Sequence, residues 1–201
     1  MKNLIIMALC LIFTACYNTN VKAQEASAAT DSVITTEPGQ KMKTAIIYSS
    51  KYGTTEKVAN MIAEKIAETN DVTLIALNDN PTPDISGYDK VILGTSIYMG
   101  KPRDNMKDYS KKRQVAFEGK IIGLFICGGE TRQDKQAEEL KKAYPDYLHD
   151  MALAEGFMGG EYNLEKMGTI ERKVIKMKAK VKESKSFLNY EAIDAFATQM
   201  K

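Results

Sequence analysis

Short unbroken apolar runs alternate along this chain with longer stretches in which apolar residues return at helical spacing. Lys43 to Ser49 is a β-branched run that stops at a Ser/Gly/Thr cluster, the mark of a strand buried on both faces. Thr54 or Thr55 stands where a helix cap is needed, and Val58, Met61, Ile62 and Ile66 then recur on one face up to about Thr69. Asp71 to Leu77 reads as a second strand, closed by the breaker Asp79-Asn80-Pro81-Thr82-Pro83. Tyr88 to Ser96 is the third, centred on Val91-Ile92-Leu93, and a polar helix is predicted over Asp104 to Val115. Lys120 to Cys127 is the fourth strand and the most apolar, followed by a helix over Gln133 to Tyr147. Ala152 to Met158 gives a weaker fifth strand. The last helix covers Tyr190 to Gln199, with Ile193, Phe196 and Ala197 on one side.

Short strands separated by helices predict a three-layer, doubly wound α/β domain over residues 42–201, with a five-stranded parallel sheet. In such sheets ligands lie beyond the carboxyl ends of the strands. The loops after Ser49, Gly94 and Cys127 are therefore the places to look for chemistry. Between the fifth strand and the last helix, Leu164 to Lys185 is dense in lysine. Its Met167, Ile170, Val174, Met177 and Val181 have helical spacing, which predicts packing; the sharper alternative is a basic face toward anionic lipid or a redox partner, diluted by Glu165, Glu171 and Glu183.

The amino terminus has a different pattern. Met1-Lys2-Asn3 begins a short positive start, and Leu4 to Ala15 is an apolar run too short to span a bilayer, so residues 1–16 read as an export signal. Phe13-Thr14-Ala15-Cys16 resembles a lipobox, which would make Cys16 a lipidated first residue; the rival cleavage site follows Ala23. Residues 17–41 are polar and small and read as a tether. The expected location is thus outside the cytoplasm, on a bacterial membrane.

The net charge of +2 becomes +3 once residues 1–40 are set aside, too mild to argue for nucleic acid. The single histidine, His149, gives a metal cage or histidine-based triad little to draw on. Beyond the leader only Cys127 remains, so the domain has no internal disulfide to draw on and its stability must come from its core.

The loop Ser50-Lys51-Tyr52-Gly53-Thr54-Thr55 runs straight into a helix start. Unpaired N–H groups of a first helical turn, with hydroxyl donors and a glycine that permits a tight turn, make a nest for a phosphate. Ile46 to Met61 resembles the flavodoxin signature segment, departing only at Met61, where Ile, Leu or Val is usual. The loop Gly94-Thr95-Ser96-Ile97-Tyr98-Met99-Gly100-Lys101 resembles that of the flavodoxin-like group containing menaquinone-dependent protoporphyrinogen oxidase, as does Gly156-Phe157-Met158-Gly159-Gly160.

This resemblance, which covers Lys43 to Lys201, implies strand order 2-1-3-4-5 and an FMN cofactor. It implies that Ser50, Lys51, Tyr52, Gly53, Thr54 and Thr55 wrap the FMN phosphate. Thr95, Ser96, Ile97, Tyr98, Met99 and Gly100 would cover the flavin ring. Cys127, Gly128, Gly129 and Glu130 would lie on its pyrimidine side, offering backbone N–H groups. Cys127 itself, with no partner cysteine, reads as a small buried hydrophobe. A receiver domain is excluded because its acids are missing after the first and third strands, and no Walker or dinucleotide glycine motif follows a predicted strand.

Electron transfer is the expected function, with a redox protein or a quinone-like molecule as partner. The alternatives are a flavin-dependent quinone or porphyrinogen oxidoreductase and a flavin-free binding module. Lys51, Lys101, Arg103 and Arg132, with Glu130 the nearest acid, predict a less negative potential than that of carriers that crowd acids around the flavin.

Overall fold

A computed structural model of the chain describes residues 40–178 and 180–201. The predicted signal, Cys16 and nearly all of the tether lie outside the described residues.

The expected parallel sheet is present. It comprises β1 (Met42–Ser49), β2 (Asn70–Ala76), β3 (Lys90–Tyr98), β5 (Ile121–Cys127) and β6 (Ala152–Phe157), in the order β2-β1-β3-β5-β6. Numbered among these five alone, that is 2-1-3-4-5. All four pairings are parallel, with one register shift between Ile122 and Gly123 where β5 meets β6.

Strand side chains alternate between faces, so an unbroken apolar run builds two cores. Ala45, Ile47, Val91, Leu93, Leu124 and Ile126 face one way. There they meet α2 (Asp104–Lys111), α3 (Gln114–Phe117), α4 (Gln133–Ala143) and α5 (Asp146–Met151) through Met106, Tyr109, Phe117, Ala143 and Leu148. Ile46, Ile92 and Phe125 face the other way, against α1 (Thr54–Ile66) and α7 (Tyr190–Gln199), which contribute Val58, Ile62, Ile66, Ile193 and Phe196.

Several boundaries differ from the sequence expectation, each for a local reason. The helix predicted over Gln133 to Tyr147 stops at Ala143 because Pro145 cannot continue it, and α5 starts afresh after that proline. The helix predicted over Asp104 to Val115 divides at Lys112-Arg113. The third strand runs on to Tyr98 because it folds back as a hairpin onto β4 (Lys101–Pro102), with Met99 and Gly100 both at positive φ in the turn.

A small second sheet had no counterpart in the sequence reading. β7 (Gly159–Tyr162) pairs antiparallel with β8 (Lys185–Leu188), and α6 (Thr169–Lys178) lies between them in sequence. The helical spacing of that lysine-rich segment is realised in α6 for Ile170, Val174 and Met177, while Met167 and Val181 lie outside the helix. It does not make one packed face, however. Met167 is buried and Val174 half-buried, whereas Ile170 and Met177 stand exposed.

Candidate functional site

Beyond the carboxyl ends of β1, β3 and β5 the three loops enclose a cavity of about 490 Å³. Its lining includes every residue expected from the sequence except Gly53, Thr55 and Thr95.

The first loop ends at Gly53, which with a φ of +93° holds the N-cap position expected of Thr54 or Thr55, while Thr54 opens α1 itself. No side chain caps the helix, so the first-turn N–H groups keep their partial positive charge for whatever lies in front of them. Ser50 Oγ accepts from Gly53 N at 3.0 Å and so shapes the loop. Asn78 Nδ2 donates to Ser50 O at 3.0 Å, which fixes the loop against the segment after β2. Thr55 is fully buried behind the loop, and its Oγ1 has no hydrogen-bond partner among the described residues.

The second loop is the β3–β4 hairpin. Gly94 belongs to the strand interior: a Cβ there would lie 2.1 Å from the Phe125 ring, so this glycine serves sheet packing rather than approach of a ligand. Thr95 is also fully buried, with Oγ1 accepting weakly from Arg103 N at 3.4 Å. Ser96, Tyr98 and Met99 reach the cavity, and Ser96 Oγ is buried there with no partner among the described residues.

In the third loop, Gly128 N donates to Gly159 O at 2.9 Å, so this N–H is not free for the pyrimidine-side contact that the resemblance implied. A Cβ on Gly129 would meet Tyr162 Oη at 2.6 Å, and one on Gly160 would meet Gly128 O at 2.5 Å. The glycines here let the loop lie directly on β7.

A family model described as a flavodoxin domain matches residues 45–189. The chain belongs to the flavodoxin domain family. Among solved structures, a short-chain flavodoxin associated with a non-canonical PDU bacterial microcompartment aligns at 15% identity over 79% of this chain and 95% of its own, with a TM-score of 0.52. The flavodoxin of Streptococcus pneumonia aligns at 20% identity over 79% and 97% of the two chains, with a TM-score of 0.48. A Fusobacterium nucleatum flavodoxin mutant bound to flavin mononucleotide aligns at 23% identity over 55% of this chain, with a TM-score of 0.43; the match spans 64% of that relative, under two thirds of its length. No curated protein sequence matches.

This flavodoxin domain adds a roof to the three loops. Tyr162 and Phe187 come from β7 and β8, their ring centroids 5.0 Å apart; Met167, and Val174 and Ile175 of α6, complete it. Glu139 of α4 and Glu161 of β7 also line the cavity. None of these was read as a site residue from the sequence. The only signal was the helical spacing after Leu164, which marks a helix without saying what its faces meet.

The roof is tied to the first loop through Glu171 of α6. Its carboxylate accepts from Lys51 Nζ at 2.6 Å, from Tyr98 Oη at 3.2 Å, from Tyr52 Oη, and from Gly168 N at 3.3 Å. The Lys51 and Tyr52 hydrogen bonds hold the Glu171 carboxyl down at about 2. Lys51 Nζ also sits 3.6 Å from the Tyr98 ring centroid, a cation–π contact.

These pairs change the charge balance expected from the loops. Lys51 is neutralised by Glu171, and Arg132 by Glu130, whose carboxyl is held at about 2 by the Arg132 side-chain and backbone donors. Lys101 and Arg103 do not line the cavity, whereas Glu139 and Glu161 do. Lys57 offsets Glu161 at 2.6 Å. Glu139 keeps one buried oxygen with no partner among the described residues, and burial, with Glu130 nearby, raises its pKa. None of the four cations read from the loops is both unpaired and part of the cavity lining, so those four give no ground for a less negative potential.

Cys127 is buried, and burial pushes its thiol up to about 12. At that value the nucleophilic thiolate is scarce at neutral pH.

Proposed function

We propose that this chain binds FMN in the cavity above the sheet and works in electron transfer. The observation that carries the reading is the uncapped start of α1 opening into a cavity of about 490 Å³ walled by Tyr98, Tyr162 and Phe187. A phosphate suits the free first-turn N–H groups and the Thr54 hydroxyl, and a flat ring suits the aromatic walls. The unpartnered Ser96 Oγ and the loop at Gly129 and Glu130 supply polar groups for the ring edge. Bound FMN supplies the redox chemistry, and the protein supplies placement, exclusion of water and local field. The roof of Met167, Val174 and Ile175 leaves an apolar, partly enclosed approach. That favours a flat quinone-like electron partner over a large redox protein and keeps a quinone or porphyrinogen oxidoreductase as the second reading.

The amino-terminal sequence supports placing this activity outside the cytoplasm. Lipid on Cys16 would anchor the chain, and residues 17–41 would hold the domain near the membrane.

The test is an absorbance and fluorescence titration with FMN. Band shifts and quenching that saturate, and that weaken at least tenfold in a Thr54→Val/Ser96→Ala double variant, are the expected result. A protein that leaves saturating FMN unchanged would sink the electron-transfer reading and leave a flavin-free binding module.

A further inference from the structure

The helix that roofs the cavity has a second apolar face on which none of the described residues packs. Val174 and Ile175 of α6 line the cavity, and Glu171 ties the same side to Lys51 and Tyr52. These contacts already hold the helix. Ile170 and Met177 are not needed for packing: they are 79% and 72% exposed, among the most exposed large apolar side chains described. Seven residues apart, they lie on one face two turns from each other, about 10.5 Å along the axis. Lys173 stands between them and Lys176 beside them, both exposed. The one acid of the helix, Glu171, is turned inward and consumed by Lys51, so the outer face has no negative charge of its own.

We propose that this outer face of α6 docks the domain onto an anionic lipid bilayer. Two protruding aliphatic side chains flanked by lysines are the pattern of a helix lying at a membrane interface, with apolar groups below the headgroups and ammonium groups among them. The charge is complementary to an anionic leaflet, and each lysine near such a surface contributes about fivefold to partitioning. A protein partner fits less well, because two isolated side chains on a convex helix fall far short of the roughly 800 Å² that a stable partner covers. Docking does not depend on FMN: the outer face is built whether or not the cavity is filled.

The test uses the full chain and sedimentation with vesicles of phosphatidylcholine alone or mixed equally with phosphatidylglycerol. Phosphatidylcholine alone reports whatever the apolar amino-terminal run contributes. Binding to the mixed vesicles is expected to be at least twentyfold stronger and to fall about tenfold in 0.5 M salt. Lys173→Gln/Lys176→Gln is expected to lose about 25-fold, by two lysines at about fivefold each. Ile170→Ser/Met177→Ser is expected to lose at least tenfold on the same vesicles. Both double variants should keep the parent's urea midpoint, since all four side chains are exposed. Equal binding to the two vesicle types would overturn the proposal. So would lysine-dependent binding indifferent to Ile170 and Met177, because the face would then be only a charged surface. Absence of vesicle binding would also overturn it and leave an acidic protein as the occupant.

Discussion

Gly160→Ala tests whether the cavity wall where β7 meets the third loop depends on backbone lying directly on backbone. Gly160 is not at positive φ, so alanine costs nothing in backbone conformation and the whole effect is steric. The added Cβ would stand 2.5 Å from Gly128 O, 3.0 Å from Gly128 C and 3.1 Å from Phe187 Cε2. Carbon ordinarily meets a carbonyl oxygen no closer than about 3.3 Å. The contact is thus short by roughly 0.8 Å, and the near atoms are backbone that cannot rotate away. Gly128 N donates to Gly159 O at 2.9 Å, so retreat of the loop would strain the bond that locates it. Overpacking of this kind costs about 1–3 kcal/mol. With a urea slope of about 2 kcal/mol per molar, the unfolding midpoint should fall by roughly 0.5–1.5 M. The displaced loop also forms the cavity wall at Gly129 and Glu130, so FMN affinity should fall at least tenfold, about 1.4 kcal/mol. Urea unfolding followed by circular dichroism, without flavin, reads the first effect; fluorescence quenching of FMN reads the second. Gly87→Ala is the control, because nothing lies within 4 Å of a Cβ there. An alanine variant at 160 with the parent's midpoint and affinity would refute the described contact of β7 with the loop.

Two further outcomes follow from single contacts. Glu171→Ala removes the carboxylate that joins α6 to Lys51, Tyr52 and Tyr98, so amide hydrogen exchange should quicken across Thr169–Lys178 and stay unchanged in β3 and β5; unchanged exchange in α6 would mean that the roof is held otherwise. Burial pushes the phenols of Tyr109 and Tyr147 up to about 12, against about 10 in the unfolded chain. The folded state therefore binds more protons above pH 10. Stability from these groups is present below pH 10 and lost as pH rises through 12. The urea midpoint should fall over that window, and Tyr109→Phe/Tyr147→Phe should flatten the fall. Lys90, whose ammonium burial pushes down, works in the opposite sense below 10.5, so comparison with the variant isolates the phenols. A parent midpoint flat to pH 11.5 would contradict the burial of these side chains.

Much of the fold was legible in the sequence because it rests on local pattern. Ala45-Ile46-Ile47 and Leu124-Phe125-Ile126 are apolar at consecutive positions, which on a strand puts apolar groups on both faces and demands helices on both sides. Sheet order came with the family resemblance, since no single run states its neighbours. The three loops were readable too, because strand ends in a parallel sheet point to one edge. Pro145 is a helix breaker in the sequence too, but the apolar spacing carried the predicted helix through it to Tyr147.

Tertiary structure decided what periodicity cannot express. Met167, Ile170, Val174 and Met177 share helical spacing, yet Met167 and Val174 close the cavity and Ile170 and Met177 face outward. Which side is buried depends on where β7 and β8 pair, a contact between residues 159–162 and 185–188 that leaves no local trace. Charge followed the same logic. Lys51 and Arg132 read as free cations along the chain, but Glu171, 120 residues away from Lys51, takes up the first. Burial and hydrogen bonding act through space, so local pattern could determine only the sheet, its two cores and the loops at its carboxyl edge. The packing of the inserted segment decided the roof of the cavity, its charge balance and which apolar side chains stay exposed.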